Sequence, residues 1–177
     1  MRYSDAVQRL RVPSGFLLAA GFVWLARPAP ATILAGLPLS LAGLALRAWA
    51  AGHLRKNEEL VTSGPYAWIR NPLYAGTLLA AAGCVVAAWD PWVALLAAAV
   101  FALVYGPVMK NEQEHLRNLF PGYAEYARRT PLLVPARRYA AATACSFDAI
   151  LWRRNREWKA AGAWLLVQTF LWWKALR

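Results

Sequence analysis

An arginine and an asparagine stand directly before a proline and a long apolar run, in the stretch VTSGPYAWIRNPLYAG (61–76). Asn71 followed by Pro72 is typical of the N-cap and the first residue of a helix. The free N–H groups at such a helix end, beside the Arg70 guanidinium, favour binding of a carboxylate or a phosphate. The structural alternative is that Asn71 only caps the helix and Arg70 anchors it to lipid headgroups.

A carboxylate follows another apolar run at Glu112, near Lys110. Its structural interpretation is a solvated ion-pair partner. If the polar stretches 51–71 and 110–159 fold together, Glu112 would approach the Arg70–Asn71 corner. An acid and a base over a helix N-terminus would then hold both ends of an amino-acid-like ligand. His53 and His115 are further candidates for a base, although a lone histidine is usually an ordinary surface residue.

The elements that position these residues are predicted from a very apolar composition. The 177-residue chain is 59% hydrophobic and 16% charged, with ten tryptophans and a net charge of +11. No nucleic-acid-binding motif accompanies the positive charge, so nucleic acid is not an expected partner. Cys84 and Cys145 form no Cys-x-x-Cys pair, and neither a zinc site nor another metal site is expected. We therefore expect an integral membrane protein.

Five apolar segments predict an all-α protein with about five membrane helices, some of them short for a full crossing. Ala-Trp-Asp-Pro-Trp at 88–92 leaves almost no loop, so the third and fourth segments should form a hairpin. The fourth helix should run from residue 91 to residue 120, about 29 residues or roughly 43 Å. The segments lie at about 14–26, 30–50, 72–89, 91–109 and 160–173.

The distribution of basic residues predicts the orientation. With a cytoplasmic N-terminus and five spanning segments, 17 of the 20 Lys and Arg residues lie on the cytoplasmic side. The positive-inside rule prefers this arrangement, which places 51–71 and 110–159 in the cytoplasm. We expect a protein of the bacterial inner membrane whose active site faces the cytoplasm.

Two motif regions together resemble a known family. LVTSGPYAWIRNPLYAG, a membrane hairpin and then EQEHLRNLFPGYAEYARRTPLLVP are similar to the isoprenylcysteine carboxyl methyltransferases and the related phospholipid methyltransferases. The family pattern is Gly-Pro-Tyr, Arg-His-Pro-x-Tyr, a hairpin, paired glutamates, and Phe-Gly-x-x-Tyr-x-x-Tyr before a proline. The resemblance covers about residues 53–135 and implies a methyltransferase core with a helical hairpin there. The composition predicts N-terminal membrane helices at 1–52 and a basic interfacial segment with the last membrane helix at 136–177.

The resemblance also implies a cofactor, S-adenosylmethionine, in a cytoplasmic pocket built by the two motif regions. The implied catalytic residue is Glu112, which would contact the methionine amino group or order the pocket. Arg117 is a second predicted catalytic residue, because its cationic stretch favours an acidic acceptor. Tyr123 and Tyr126 would close the pocket. The implied cofactor-binding residues are Leu60, Val61, Gly64 and Tyr66 around the adenosine, Arg70, Asn71 and Tyr74 around the polar end, and Glu112.

The chain departs from the family pattern at three places. Asn71 replaces the histidine, which removes a titrating imidazole and keeps hydrogen bonding. Gln113 replaces the second glutamate and removes a negative charge. Phe120-Pro121-Gly122 stands in place of Phe-Gly. These departures bear more on the substrate than on the cofactor.

The function implied is methylation of a lipophilic small molecule or lipid, and carboxylate O-methylation is favoured. Three alternatives stay open: N-methylation of a phospholipid amine, an NADPH-dependent membrane reductase of the sterol-reductase kind, and a non-enzymatic membrane protein. Membrane lipids are expected partners, particularly at the cationic, tryptophan-flanked stretch 152–158. The sequence does not indicate an oligomeric state.

Overall fold

A computed structural model of the protein describes residues 3–135, 139 and 146–177, with side chains from residue 13 onward. Helices are the regular secondary structure of the described residues, which contain no strands. Cys145 and the counted basic residues Arg2, Arg137 and Arg138 lie outside them. The helices are α1 Tyr3–Leu25, α2 Pro30–Ala51, α3 Pro72–Ala88, α4 Pro91–Val100, α5 Gly106–Leu119, α6 Tyr123–Arg129, α7 Ala149–Arg154 and α8 Trp158–Ala175, with a 3-10 turn at Gly64–Ala67 and a π-helical segment at Phe101–Tyr105.

The five predicted apolar segments are all helical, but the number of membrane-length helices is smaller than predicted. Two helices in the described part of the chain are long and apolar enough to cross a bilayer, Pro30–Ala51 and Pro91–Leu119. Pro13–Leu25 and Pro72–Ala88 are shorter apolar helices. The 17 residues of α3 measure about 26 Å at 1.5 Å each, less than the roughly 30 Å hydrocarbon core.

The fourth apolar helix continues well beyond its apolar part, as predicted. It runs without interruption over 29 residues, Pro91–Leu119, and ends before Pro121 and Gly122. Its middle is the π-helical segment Phe101–Tyr105, where the Phe101 and Tyr105 rings stack at 5.5 Å between centroids. Glu112 and Arg117 therefore lie on α5, the last part of this helix.

The chain divides into two compact units, the first formed by Met1–Ser40, Ala81–His115 and Leu166–Arg177. Its core cluster consists of Ala26, Ile33, Ala87, Ala88, Val93 and Leu171. Trp89 and Asp90 alone connect α3 to α4, which confirms the short connection predicted at 88–92. The Asp90 carboxylate accepts the N–H groups of Trp92 and Val93 at 2.9 and 3.3 Å, and so caps α4.

The second unit contains Leu41–Ala80 and Leu116–Leu165. Its core cluster consists of Ala50, Val61 and Tyr66, with Leu54 and Leu73 packed against it. The end of α2 is closed by Asn155, whose side-chain amide donates to the carbonyls of Ala51 (2.9 Å) and Leu54 (3.0 Å). The segment between α7 and α8 therefore satisfies carbonyls that the end of a helix leaves open.

Glycines bring α2 and α3 into backbone contact in each unit. In the first unit, a Cβ added to Gly83 would stand 2.5 Å from the Gly36 carbonyl oxygen. In the second unit, a Cβ added to Gly76 would stand 2.7 Å from the Gly43 carbonyl oxygen. Small residues at helix contacts of this kind are typical of membrane helix pairs, because they let the backbones approach closely.

Candidate functional site

The 3-10 turn at Gly64–Ala67 begins at a position that requires glycine for two reasons. Gly64 has a φ of +56°, a left-handed conformation that other L-residues rarely adopt. A Cβ on Gly64 would also stand 2.6 Å from Nε2 of His53. Ser63 before it is extended, and the Tyr66 N–H donates to the Ser63 carbonyl at 3.1 Å. The Gly-Pro-Tyr motif thus builds a tight turn against a buried ring.

That ring belongs to His53, which is buried and not the surface residue that the sequence suggested. Its Nδ1 lies 2.9 Å from the Trp49 carbonyl oxygen, one helical turn earlier. Since a carbonyl only accepts, Nδ1 carries the proton in this contact. The rings of Trp49 and Phe147 approach the imidazole edge-on at 6.3 and 6.4 Å between centroids. His53 is therefore held by α2 and by the chain before α7.

The two motif regions come together in the second unit through three hydrogen bonds, and a fourth joins the first region to Tyr139, just beyond the second. The Tyr126 hydroxyl donates to the Tyr66 carbonyl at 2.7 Å. The Arg70 N–H donates to the Pro131 carbonyl at 2.8 Å, and the Asn71 N–H to the Leu132 carbonyl at 3.2 Å. A fourth bond, 2.6 Å long, runs from the Tyr139 N–H to the Ala67 carbonyl. The polar stretches that precede α3 and follow α5 thus fold together.

Tyr126 is the side chain that joins these regions. It is buried, and its ring meets Tyr123 and Tyr139 at 6.1 and 5.4 Å between centroids. Burial raises the pKa of the Tyr126 phenol above its usual range, and the Arg70 guanidinium opposes this only in part. The hydroxyl therefore keeps its proton and remains a donor to the Tyr66 carbonyl.

Three buried side chains around this junction carry polar atoms that have no hydrogen-bond partner among the described residues. They are Asn71 (Nδ2), Ser63 (Oγ) and Thr130 (Oγ1), exposed by 8%, 5% and 2%. Asn71 directly precedes Pro72, where α3 begins, so the predicted start of this helix is confirmed. A buried donor without a partner is costly, and such atoms are common where a ligand or water belongs.

The second unit contains most of the site residues that the sequence predicts. Val61 and Tyr66 are buried in its core cluster, while Arg117 is exposed on α5. Glu112 is half-buried and belongs to the first unit. Its approach to the Arg70–Asn71 corner stays a prediction. The remaining candidates in the second unit are Leu60, Gly64, Arg70 and Tyr74, which are half-buried, and Asn71, which is buried.

A paired charge in the same unit was not predicted from the sequence. Arg47 on α2 donates to both carboxylate oxygens of Glu157, with Nε to Oε2 at 3.0 Å and Nη2 to Oε1 at 2.7 Å. Its Nη1 also contacts the Leu73 carbonyl at 3.3 Å and the Thr77 hydroxyl. The available signal was an arginine within an apolar helix, because such a residue almost always has a partner.

A family model described as phospholipid methyltransferase matches residues 32–122. This range is more than half of the 177 residues. The chain belongs to the phospholipid methyltransferase family. The match includes most of α2, the turn at Gly64–Ala67, α3 and the long helix Pro91–Leu119. Family membership and two membrane-length helices together indicate association with a membrane.

Two curated relatives of the chain carry names from metal resistance. The cobalt-zinc-cadmium resistance protein CzcN of Cupriavidus metallidurans is 42% identical over 105 residues, which cover 56% of this chain and 49% of that protein. The nickel-cobalt-cadmium resistance protein NccN of Alcaligenes xylosoxydans xylosoxydans is 38% identical over 91 residues, 50% of this chain and 43% of that protein. The chain thus spans about half the length of the curated relatives it matches. No solved structure matches it.

Proposed function

We propose that the protein is a membrane-embedded methyltransferase that uses S-adenosylmethionine and acts on a lipophilic acceptor. The observation that carries this proposal is the hydrogen-bonded junction of the two motif regions, in which Tyr126 holds Tyr66 and residues 131 and 132 hold Arg70 and Asn71. Membership of the phospholipid methyltransferase family supports the reaction class.

The residues at the junction suit the cofactor in polarity and burial. Val61 and Tyr66 offer a buried apolar wall, and Asn71 offers a buried amide donor without a partner among the described residues. S-adenosylmethionine, when bound, supplies a methyl group on a positively charged sulfur, so an acceptor lone pair forms the new bond to carbon as the carbon–sulfur bond breaks. The protein has to orient the reactants and exclude water, and a general base is needed only for an amine acceptor.

The proposed roles of Arg70 and Glu112 rest on their positions in the family motifs, and that of Arg117 on its charge. Arg70, half-buried before α3, binds the anionic end of the cofactor. Glu112 binds its amino group, and Arg117, exposed on α5, attracts an acidic acceptor. The proposed site faces the cytoplasm of the bacterial inner membrane, on the side that carries most of the basic residues.

The proposed acceptor is a lipophilic molecule with an acidic group, methylated on its carboxylate. Basic side chains at Arg117, Arg128 and Arg153 are exposed and favour an anion. Methylation of an amine headgroup is the alternative, because a lipid phosphate would supply the same charge. A carboxylate is ionised at neutral pH, so its methylation should show no rise that tracks deprotonation of an amine above pH 7.

The deciding experiment uses purified protein and host membranes with radiolabelled S-adenosylmethionine. The expected result is binding of the cofactor and transfer of label to a lipid fraction, with label released by mild base as expected for a methyl ester. Arg70→Ala should weaken binding about 5- to 150-fold, equivalent to about 1–3 kcal/mol. A base-resistant product would indicate N-methylation instead.

Two other results would contradict the proposed activity. Binding of NADPH instead of S-adenosylmethionine would support a membrane reductase. Failure to bind S-adenosylmethionine and its demethylated product would support a non-enzymatic protein in which the motifs only shape helices.

A role in metal tolerance is a second proposal, based on the names of the two relatives. Methylation of an acidic lipid removes a negative charge from the membrane surface and so lowers the local concentration of divalent cations. Among the described residues, no group of three or more His, Cys, Asp or Glu could hold a metal ion. Deleting the gene should lower tolerance to cobalt, zinc or cadmium, and the wild type but not Arg70→Ala should restore it. Unchanged tolerance after deletion would refute this role.

A further inference from the structure

A buried hydroxyl on the second motif region lies next to the start of α3. Thr130 directly precedes Pro131, whose carbonyl accepts the Arg70 N–H at 2.8 Å. Asn71 directly follows Arg70 and donates its own N–H to the Leu132 carbonyl at 3.2 Å. Thr130 and Asn71 are therefore each one residue away from the same backbone hydrogen bond.

Both side chains are almost fully buried, and each has a polar atom with no partner among the described residues. Thr130 is 2% exposed and Asn71 is 8% exposed. Their atoms Oγ1 and Nδ2 are both able to donate a hydrogen bond. Leaving two such donors unpaired beside the same pair of backbone hydrogen bonds is unfavourable, so this region favours a bound hydrogen-bond acceptor.

The position at a helix start decides the charge of that acceptor. α3 is a helix of 17 residues, and its first turn has N–H groups without intrahelical partners and a positive end of the helix dipole. Arg70 adds a formal positive charge beside it. These groups donate hydrogen bonds and carry positive charge, so they favour an anion over a neutral polar group.

We propose that Thr130 Oγ1 and Asn71 Nδ2 form a carboxylate subsite at the start of α3, and that it holds the carboxylate of the cofactor's amino-acid portion. This inference rests on the proposed function and adds Thr130 to the binding residues. The compact, planar carboxylate fits two neutral donors beside one arginine, whereas a lipid phosphate is the other anion that could come to this place.

The test measures the affinity of the full-length protein for two ligands. They are S-adenosylmethionine and its decarboxylated analogue, which lacks only the carboxylate. The isosteric change Thr130→Val removes the hydroxyl and keeps the shape. It should weaken S-adenosylmethionine binding about 10-fold or more, the usual effect of losing a hydrogen bond to a charged group. Binding of the decarboxylated analogue should stay within about 2-fold. Thr130→Ser should retain wild-type affinity for both ligands.

A second variant keeps the test informative if Thr130→Val folds poorly. Asn71→Asp keeps the shape and replaces the amide donor with a carboxylate, which repels the ligand carboxylate. It should weaken the binding of S-adenosylmethionine but not the binding of the decarboxylated analogue. Ser63→Ala removes the hydroxyl of the third buried side chain around the junction and should change both affinities equally.

The outcomes separate the subsite from the proposed function. If Thr130→Val and Asn71→Asp change the affinities for both ligands equally, or change neither affinity, the subsite is refuted while the methyltransferase proposal stands. If the purified variants instead retain less anionic phospholipid than the wild type while their cofactor affinity is unchanged, the site holds a lipid phosphate. The carboxylate assignment is then refuted. If the wild type binds neither ligand, the proposed function itself fails.

Discussion

At Gly64 the backbone conformation and the nearest side chain impose the same requirement. The φ of +56° and the 2.6 Å approach of an added Cβ to His53 Nε2 both exclude a side chain. Gly64→Ala should therefore lower the free energy of unfolding by about 1–3 kcal/mol, the range for a strained left-handed residue. Thermal or denaturant unfolding in detergent measures the change.

The matched control is Gly162→Ala in α8, where nothing lies within 4 Å of the added Cβ. Alanine is the better helix former, so this variant should be neutral or more stable by up to about 1 kcal/mol. Equal destabilisation by the two changes would contradict the proposed role of the Gly64 turn.

Local roles of site residues could be predicted from the sequence, whereas the surroundings of their side chains could not. Asn71 before Pro72 indicates a helix start through local chemistry alone, and α3 begins there. The burial of His53 depends on Phe147, more than ninety positions away in the chain. The hydrogen bonds from Arg70 and Asn71 to the carbonyls of Pro131 and Leu132 also join residues that are far apart in the chain. Contacts between residues so far apart produce no local sequence pattern from which they could be predicted.

Between elements, the Arg47–Glu157 pair is the contact whose loss should matter most. Both side chains are mostly buried, at 22% and 10% exposure. Glu157→Ala should destabilise the protein by about 3–5 kcal/mol, because it leaves a buried guanidinium without its counter-charge. The double change Arg47→Met with Glu157→Leu should recover most of this, since it removes both charges. Unfolding in detergent measures the wild type and both variants.

A surface pair in the same unit provides the control. Arg154 and Glu58 form an ion pair in which both side chains are about half exposed. Glu58→Ala should therefore cost less than about 1 kcal/mol. If Glu58→Ala and Glu157→Ala had the same effect, the Arg47–Glu157 pair would not be the structural contact described above.

The helix boundaries were predictable because prolines mark them. α2, α3 and α4 start at Pro30, Pro72 and Pro91, and proline suits the first position of a helix. The number of membrane-length helices was overestimated for two reasons, the length of α3 and the composition of α8. α3 has only 17 residues, and α8 contains Lys159, Gln168 and Lys174.

For the whole molecule, the orientation in the membrane is a prediction from the basic residues. In a background without native cysteines, a cysteine at Arg128 should be shielded from an impermeant thiol reagent in intact cells, and one at Trp89 should react. Both positions are exposed in the structure, so reagent access reports the side of the membrane and not burial. The opposite labelling pattern would refute the cytoplasmic site.

The order of synthesis gives the Arg47–Glu157 pair a consequence for membrane insertion. Arg47 precedes its partner by 110 residues, which corresponds to about 5–20 s of translation. During that interval α2 carries an uncompensated charge close to its C-terminal end, where a long side chain can extend to the aqueous interface. A nascent chain stalled before residue 157 should therefore hold α2 less firmly in the bilayer than the finished protein does. The residue that directly precedes α8 thus completes the anchoring of a helix made long before it.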